Sequence, residues 1–362
     1  MSTLKVNTIN ASTSGQAVDV DIKNPKSFRN KVINGGMLVN QRGNQSSVTT
    51  SVYGLDRFKV QEVAAVTYDI NQSTDTPNGF GNSFHIDIQG ANSSPAASHY
   101  MQLITPLEGF DVQDFAKGTA EAKEYAVSFY IKTNVTGNYA LQITDDNSRS
   151  CSQLYTVSDT NWNRYTVIFP ADTTGAIDND NTEGLRLTWH LLVGSNQTSG
   201  TMNTTWAATT TANIAVGQNA NVASSTSNNW YITGVQLEVG SVVTDFEHKS
   251  FAEDLRLCCR YFYAATYVIA GIFICYNADQ DAAYGGVQFP VIMRAAPTVV
   301  LGDNAGNNAG VVTQHGAAHG IAAAAGDIGK HGIGKVQKSS GNWDSGSAKP
   351  IAAKIASADA EL

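Results

Sequence analysis

The chain has 362 residues, 42% of them hydrophobic, enough for about two domains with a sizeable core, and wholesale disorder is excluded. Only 15% of residues are charged, against roughly 25% in an average soluble domain, so the surface must be built from Asn, Gln, Ser, Thr and Gly. The net charge of −8 comes without a basic block, which disfavours a phosphate-backbone partner, and no nucleic acid is expected.

Residues 1–30 are polar, with isolated apolar positions. Val18, Val20 and Ile22 alternate with Asp19 and Asp21. Such a segment cannot bury its apolar face alone, so it is expected to pair with another subunit or dock on a partner. The first residues, MSTLKVNTINASTSG, have no apolar run, so no secretory leader is expected.

Over residues 31–248 the apolar period is two. Phe84, Ile86 and Ile88 alternate with polar neighbours, as do Tyr125, Val127, Phe129 and Ile131. The same holds for Tyr139, Leu141 and Ile143, for Tyr165, Val167 and Phe169, and for Val235, Leu237 and Val239. Leu185, Leu187, Trp189, Leu191 and Val193 form the longest set. Between them lie turn-rich stretches such as TNVTGN and GSNQTSG. Many short strands, each with one buried and one wet face, predict an all-β fold, a jelly-roll-like antiparallel β-sandwich.

A short connector helix is expected within 249–263. Ser250 and Glu253 have the spacing of a capping box, and Phe251, Leu255, Cys258, Cys259 and Phe262 recur at helical intervals. Residues 264–362 are expected to form a small β-rich distal unit. It opens with the strand-like TYVIAGIFICY, GVQFPVIM and APTVVL. Residues 302–348 hold eleven glycines and few large apolar groups, a composition suited to surface loops. KPIAAKIAS returns as a closing strand.

Signals for chemistry are weak. GKHGIGKV at 329–336 lacks the hydroxyl residue that should follow Lys335 in a phosphate-binding loop. His315 and His319, with His331 beyond, have a four-residue spacing but sit among glycines with no adjoining Glu, so no metal is expected. The four cysteines, Cys151, Cys258, Cys259 and Cys275, show no C-x-x-C spacing and read as buried thiols. The longest apolar run, around Tyr267–Tyr276, is far short of the ~20 residues needed to span a bilayer, so no membrane insertion is expected. The carboxylate pairs Asp145–Asp146 and Glu253–Asp254 fall in a hairpin turn and in the first helical turn, and no cofactor is indicated. Trp162, Trp206 and Trp230 read as packing anchors at strand ends. Trp343, in SSGNWDSGS, is either a local anchor or an exposed platform for a sugar ring.

Four stretches carry a family resemblance. ITGVQLEVGSVVTDFEHKSFAEDLRLCCRYFY is similar to a strand–corner–helix unit of bacteriophage tail-fibre and related virion-fibre proteins. VINGGMLVNQRGNQSSVTTSVYGLDRF resembles the segment leading into their central domain, and FPVIMRAAPTVV the start of their distal module. MSTLKVNTINASTSG is similar to the N-termini of fibres from phages of marine bacteria, cyanobacteria among them. The resemblance implies a non-enzymatic homotrimer whose central domain is like a carbohydrate-binding module. Its N-terminus would join a tail nozzle or adaptor protein in the virion, and its distal end would contact a host surface polysaccharide. On that reading Val18, Val20, Ile22, Phe251, Leu255 and Phe262 are trimer-interface candidates. Asp303, Asn304, His315, Asn342, Trp343 and Asp344 are receptor-binding candidates. The alternatives are a polysaccharide depolymerase or esterase, and a head fibre or adaptor with a purely structural role.

Overall fold

A computed structural model describes residues 28–265, 272–277, 282–303, 310–314, 321–339 and 350–362. Thirteen strands precede the helix: β1 (Gln45–Val48), β2 (Val52–Tyr53), β3 (Lys59–Val63), β4 (Thr67–Ser73), β5 (Ser83–Gly90), β6 (Tyr100–Glu108), β7 (Tyr125–Thr133), β8 (Gly137–Asp145), β9 (Arg149–Val157), β10 (Asn163–Phe169), β11 (Glu183–Val193), β12 (Ala207–Ala208) and β13 (Asn229–Val239). They form two antiparallel sheets, one ordered β1-β4-β5-β13-β7-β10 and the other β12-β9-β8-β11-β6-β3-β2. The chain passes repeatedly between them, which makes the jelly-roll-like sandwich that the alternation predicts. Phe84, Ile86, Ile88, Val127, Phe129, Tyr139, Leu141, Leu187, Trp189, Val235 and Leu237 are all buried in one core.

The alternation breaks at two bulges. Between His190 and Leu192 the register of β11 against β6 shifts, so Leu191 and Leu192 are both buried and Val193 is only half-buried. Between Thr233 and Gln236 the register of β13 against β7 shifts, with Gly234 at φ +63°. A Cβ there would come within 2.8 Å of the Phe80 ring and 2.9 Å of the Tyr130 ring. Glycine therefore supplies both the left-handed backbone and the room for those rings.

The helix α1 spans Phe251–Cys258, shorter than the pattern predicts. Ser250 caps it, its side chain accepting from Glu253 N at 3.2 Å. The reciprocal half of the capping box is absent, because the Glu253 carboxylate turns to Arg256 at 2.8 and 3.0 Å. Phe262 corrects the expected stripe. After Cys258 the backbone tightens, with Tyr261 N donating to Cys258 O at 2.9 Å, and Phe262 enters a strand. Its ring is buried there beneath Arg42, 3.6 Å from the guanidinium carbon. On the helix itself Phe251 is 46% exposed, Leu255 is half-buried, and Asp254 and Cys258 face inward. Val18, Val20 and Ile22 lie outside the described residues.

The distal unit contains β14 (Phe262–Tyr263), β15 (Ile272–Asn277), β16 (Ala282–Gln288), β17 (Thr298–Gly302), β18 (Val311–Gln314), β19 (Ile321–Gly326), β20 (Gly332–Lys338) and β21 (Pro350–Asp359). The closing strand β21 is its spine, pairing with β14, β15, β17 and β18. The path β15-β16-β20-β19-β18 returns to it, so the ladder closes on itself. Three strands thus lie within 302–348, where surface loops are expected from composition. Antiparallel backbone hydrogen bonding makes strands there despite poor side-chain propensity. GVQFPVIM is a strand only to Gln288, since Pro290 offers no backbone donor.

The two units meet through buried polar groups. Gln41 Nε2 donates to Phe262 O at 2.7 Å, and its Oε1 accepts from Ala264 N at 3.2 Å. Arg57, 2% exposed, pairs with Glu361, 3% exposed, and its guanidinium carbon lies 3.5 Å from the Tyr261 ring centre. Tyr53 Oη donates to Leu362 O at 2.6 Å. Arg260 forks onto Glu108 at 2.8 and 2.9 Å. Arg294 and Asn181 exchange two hydrogen bonds.

Candidate functional site

The outer faces of the two sandwich sheets differ. On the seven-stranded sheet Gln142, Ser152, Thr188 and His190 do not face the aromatic core, yet all four are buried. The long connection from β11 to β13 folds back there. Gln218 Nε2 donates to His190 O at 3.2 Å while its Oε1 accepts from Ala140 N at 3.0 Å, bridging the place where β8 and β11 part.

The six-stranded sheet is covered over Ser128, Gln236 and Glu238, where residues 244–247 fold back onto it, and stays partly open at the end that carries His85, Lys132 and Tyr231. Register sets Asn71, His85, Tyr231 and Lys132 side by side on β4, β5, β13 and β7. The next row holds Asp69, Asp87 and Asn229. These residues alternate with buried Ile70, Phe84, Ile86 and Trp230, so the pleat that fills the core also presents this polar row.

His85 and Tyr231 stand ring against ring, centroids 4.1 Å apart and 3° from parallel. Asn229 Oδ1 accepts from His85 Nε2 at 2.6 Å, and Asn229 Nδ2 is turned to Ser227 O, which fixes that assignment. On the other side Trp162 meets Tyr231 edge-on at 6.1 Å, and Lys132 Nζ lies 5.8 Å from the Tyr231 ring centre. Asp75 ties both neighbours, accepting from Lys132 Nζ at 2.6 Å and from Trp162 Nε1 at 2.9 Å. Burial pulls the Asp75 carboxyl upward, but those two hydrogen bonds outweigh it and hold the group below the usual carboxylate range. Burial, and then the Asp75 and Asp87 carboxylates, raise the Tyr231 hydroxyl above its ordinary value, so it stays a neutral phenol.

Beside Tyr231 opens a cleft of about 400 Å³, lined by Lys132, Thr133, Asn134, Thr160, Ser227 and Asn229 as well. Its size suits a small ligand or part of a polymer. Tyr231 is its one aromatic wall, and the remaining lining is hydroxyl and amide apart from Lys132. The lining holds no carboxylate, imidazole or thiol, and its polar groups are amides, hydroxyls and the Lys132 ammonium. A second hollow of about 450 Å³ in the distal unit is lined by Val287, Gln288, Asp327, His331, Ile333 and three glycines, with no Phe, Tyr or Trp.

The sequence candidates fare unevenly. Asp303 is buried and is not presented at a surface. Asn304, His315, Asn342, Trp343 and Asp344 lie outside the described residues, as does His319. Among the described residues no cluster could hold a metal ion, and no helix is long and apolar enough to cross a membrane. Cys151, Cys258 and Cys259 are free and buried, and burial pushes the Cys151 and Cys259 thiols up to about 12. The near-phosphate-loop at 329–336 is the turn and second strand of the β19–β20 hairpin, with Lys335 3.4 Å from Asp327. Asp145 is buried and paired at 2.5 Å with Lys117, which also meets Asp172 at 3.0 Å. Trp206 and Trp230 are buried, as expected of anchors. Trp162 is half-exposed and instead buttresses Tyr231. His85, Lys132, Asn229 and Tyr231 were missed as a site. Their signal is present, as His85 and Tyr231 are aromatic rings at the outward steps of strands whose inward steps are apolar.

No family model matches the sequence, and no curated protein matches it. Solved structures align with part of the chain. A family 61 carbohydrate-binding module in complex with β-1,4-galactotriose aligns with 58% of this chain and 99% of its own, at 10% identity and TM-score 0.30. A family 11 module from Clostridium thermocellum in complex with a mixed-linked tetrasaccharide aligns with 57% and 98%, at 12% identity and TM-score 0.28. A putative sugar-binding protein from Bacteroides thetaiotaomicron aligns with 58% and 99%, at 12% identity and TM-score 0.30.

Proposed function

We propose that the chain is a non-catalytic, glycan-binding subunit of a bacteriophage virion fibre, and that the open end of its six-stranded sheet takes a hydroxyl-rich saccharide. The observation that carries the binding part is the cleft beside Tyr231. One ring wall suits the C–H face of a sugar, and the surrounding Asn, Ser and Thr groups suit its hydroxyls. Trp162, His85 and Asp75 hold that wall in place before any ligand arrives, which limits the ordering cost of binding.

The virion part rests on the four segments that resemble phage fibres. Within it, residues 1–30 join the particle and three chains assemble about the helix α1, on which Phe251 is exposed. Light scattering tests the assembly, since a stable species at the 38.5 kDa of one chain would overturn it. A turnover assay on the bound polysaccharide tests the absence of catalysis.

The binding test is Tyr231→Ala, read by adsorption to polysaccharide and by thermal melting. Loss of one stacking wall is expected to weaken binding by roughly 1–3 kcal/mol per site, by analogy with base stacking. The melting temperature should move little, because Tyr231 lies outside the aromatic core. Unchanged adsorption would remove the cleft from the function.

A further inference from the structure

Charge around the cleft points to the class of saccharide, on the reading that the cleft binds one. We infer that it selects uncharged glycans and rejects those bearing carboxylate, sulfate or phosphate. The lining has a single cation, Lys132, and its ammonium is committed to Asp75 at 2.6 Å. Three carboxylates are attached to lining residues. Asp75 holds Lys132, Asp87 sits across the strand pair from Asn229, and Asp159 precedes Thr160 in the chain. Among the described residues neither Asp87 nor Asp159 has a cationic partner. Asp87 accepts from Gln89 Nε2 at 2.9 Å. Asp159 accepts from Asn161 N and from Asn163 Nδ2, both at 2.8 Å. Hydrogen bonds of this kind stabilise the ionised form, and the Asp159 carboxyl is held below its ordinary range by them. Two further cations meet this face and both are engaged, Arg29 with Glu238 at 3.2 Å and Arg164 with Thr244 O and Ser128 Oγ.

An anionic sugar would therefore meet uncompensated negative charge, or would have to take Lys132 from Asp75 and leave that carboxylate unpaired. A neutral sugar meets neither difficulty, since amides, hydroxyls and carboxylates all accept from or donate to its hydroxyls. Repulsion across this distance acts through solvent, so it is screened by salt.

The test uses the full chain in affinity electrophoresis against mixed-linkage β-glucan, xylan and galactan, each also supplied as its carboxymethylated derivative. At low salt, binding to the neutral polymer that retards the protein should exceed binding to its carboxymethylated form at least tenfold. Raising salt from 50 to 500 mM should narrow that ratio. The double variant Asp87→Asn and Asp159→Asn should bind the carboxymethylated polymer at least fivefold better than the unsubstituted chain. Both side chains are at the surface, and a thermal melt checks that the variant is folded. Equal or tighter binding of the carboxymethylated polymer by the unsubstituted chain would overturn the inference while leaving glycan binding intact. Failure of every polymer to retard the protein, with Tyr231→Ala indistinguishable from it, would overturn the glycan reading and this inference with it.

Discussion

The sandwich core is made of large rings. Trp189, Trp230, Tyr68, Tyr125, Tyr139, Phe58, Phe84, Phe115 and Phe129 are each under 2% exposed. In the distal unit alanines (Ala283, Ala323, Ala353, Ala358 and Ala360) fill five of the thirteen described core positions, and Phe289 is the one ring. Burial contributes roughly in proportion to apolar area, so each core residue of the distal unit contributes less than its counterpart in the sandwich. The distal unit is stabilised also by what β21 brings to the joint, the run from Asp359 to Leu362 against Arg42, Arg57 and Tyr53. A well-packed domain thus carries the binding face, and a lean one is latched to it by ion pairs.

Trp189→Ala is the strongest way to break that contrast. It removes one of the two largest fully buried side chains and should cost about 3–5 kcal/mol by chemical denaturation. Ile351→Ala in the distal core should cost less, and a larger loss there would reverse the comparison. Breaking the latch comes next. Glu361→Gln leaves the Arg57 guanidinium buried without its carboxylate, a loss of about 3 kcal/mol. Hydrogen exchange should show the distal strands opening ahead of the sandwich, and uniform protection in both units would argue against a separate latch.

Acid should act first on the sandwich. His190 is buried with neither ring nitrogen bonded among the described residues, and burial holds it down to about 4, against 6.5 in the unfolded chain. The folded state therefore binds its proton less readily than the unfolded state. The stability that His190 contributes is complete above about pH 6.5 and falls as pH drops towards 4, by about 3 kcal/mol in all. His190→Gln should flatten that part of the pH profile, and an identical slope in both proteins would show that other groups control it. The smallest expected effect is at the connector. Ser250→Ala removes the cap of α1 and should cost about 1 kcal/mol.

Much of the sandwich was legible because a strand with one buried face writes a two-residue period into the chain. Phe84, Ile86, Ile88 and Leu185, Leu187, Trp189 are found where that period puts them. The distal strands in 302–348 were not legible, because Gly and Ala leave no contrast between faces. The site was half legible. His85 and Tyr231 each stand out as a ring at an outward step, but β5 and β13 are separated by more than a hundred residues, and only the register brings the rings together.

The sequence by itself determined the strand period, the neutral surface and the Ser250 cap, because each depends on residues close together in the chain. Tertiary structure alone decided which part of a sheet face stays open, that Asp75 ties Lys132 to Trp162, and that Glu361 meets Arg57 across the joint. Those contacts join residues far apart in the chain, and which residues meet depends on strand order and register, quantities that a local hydrophobic pattern does not contain.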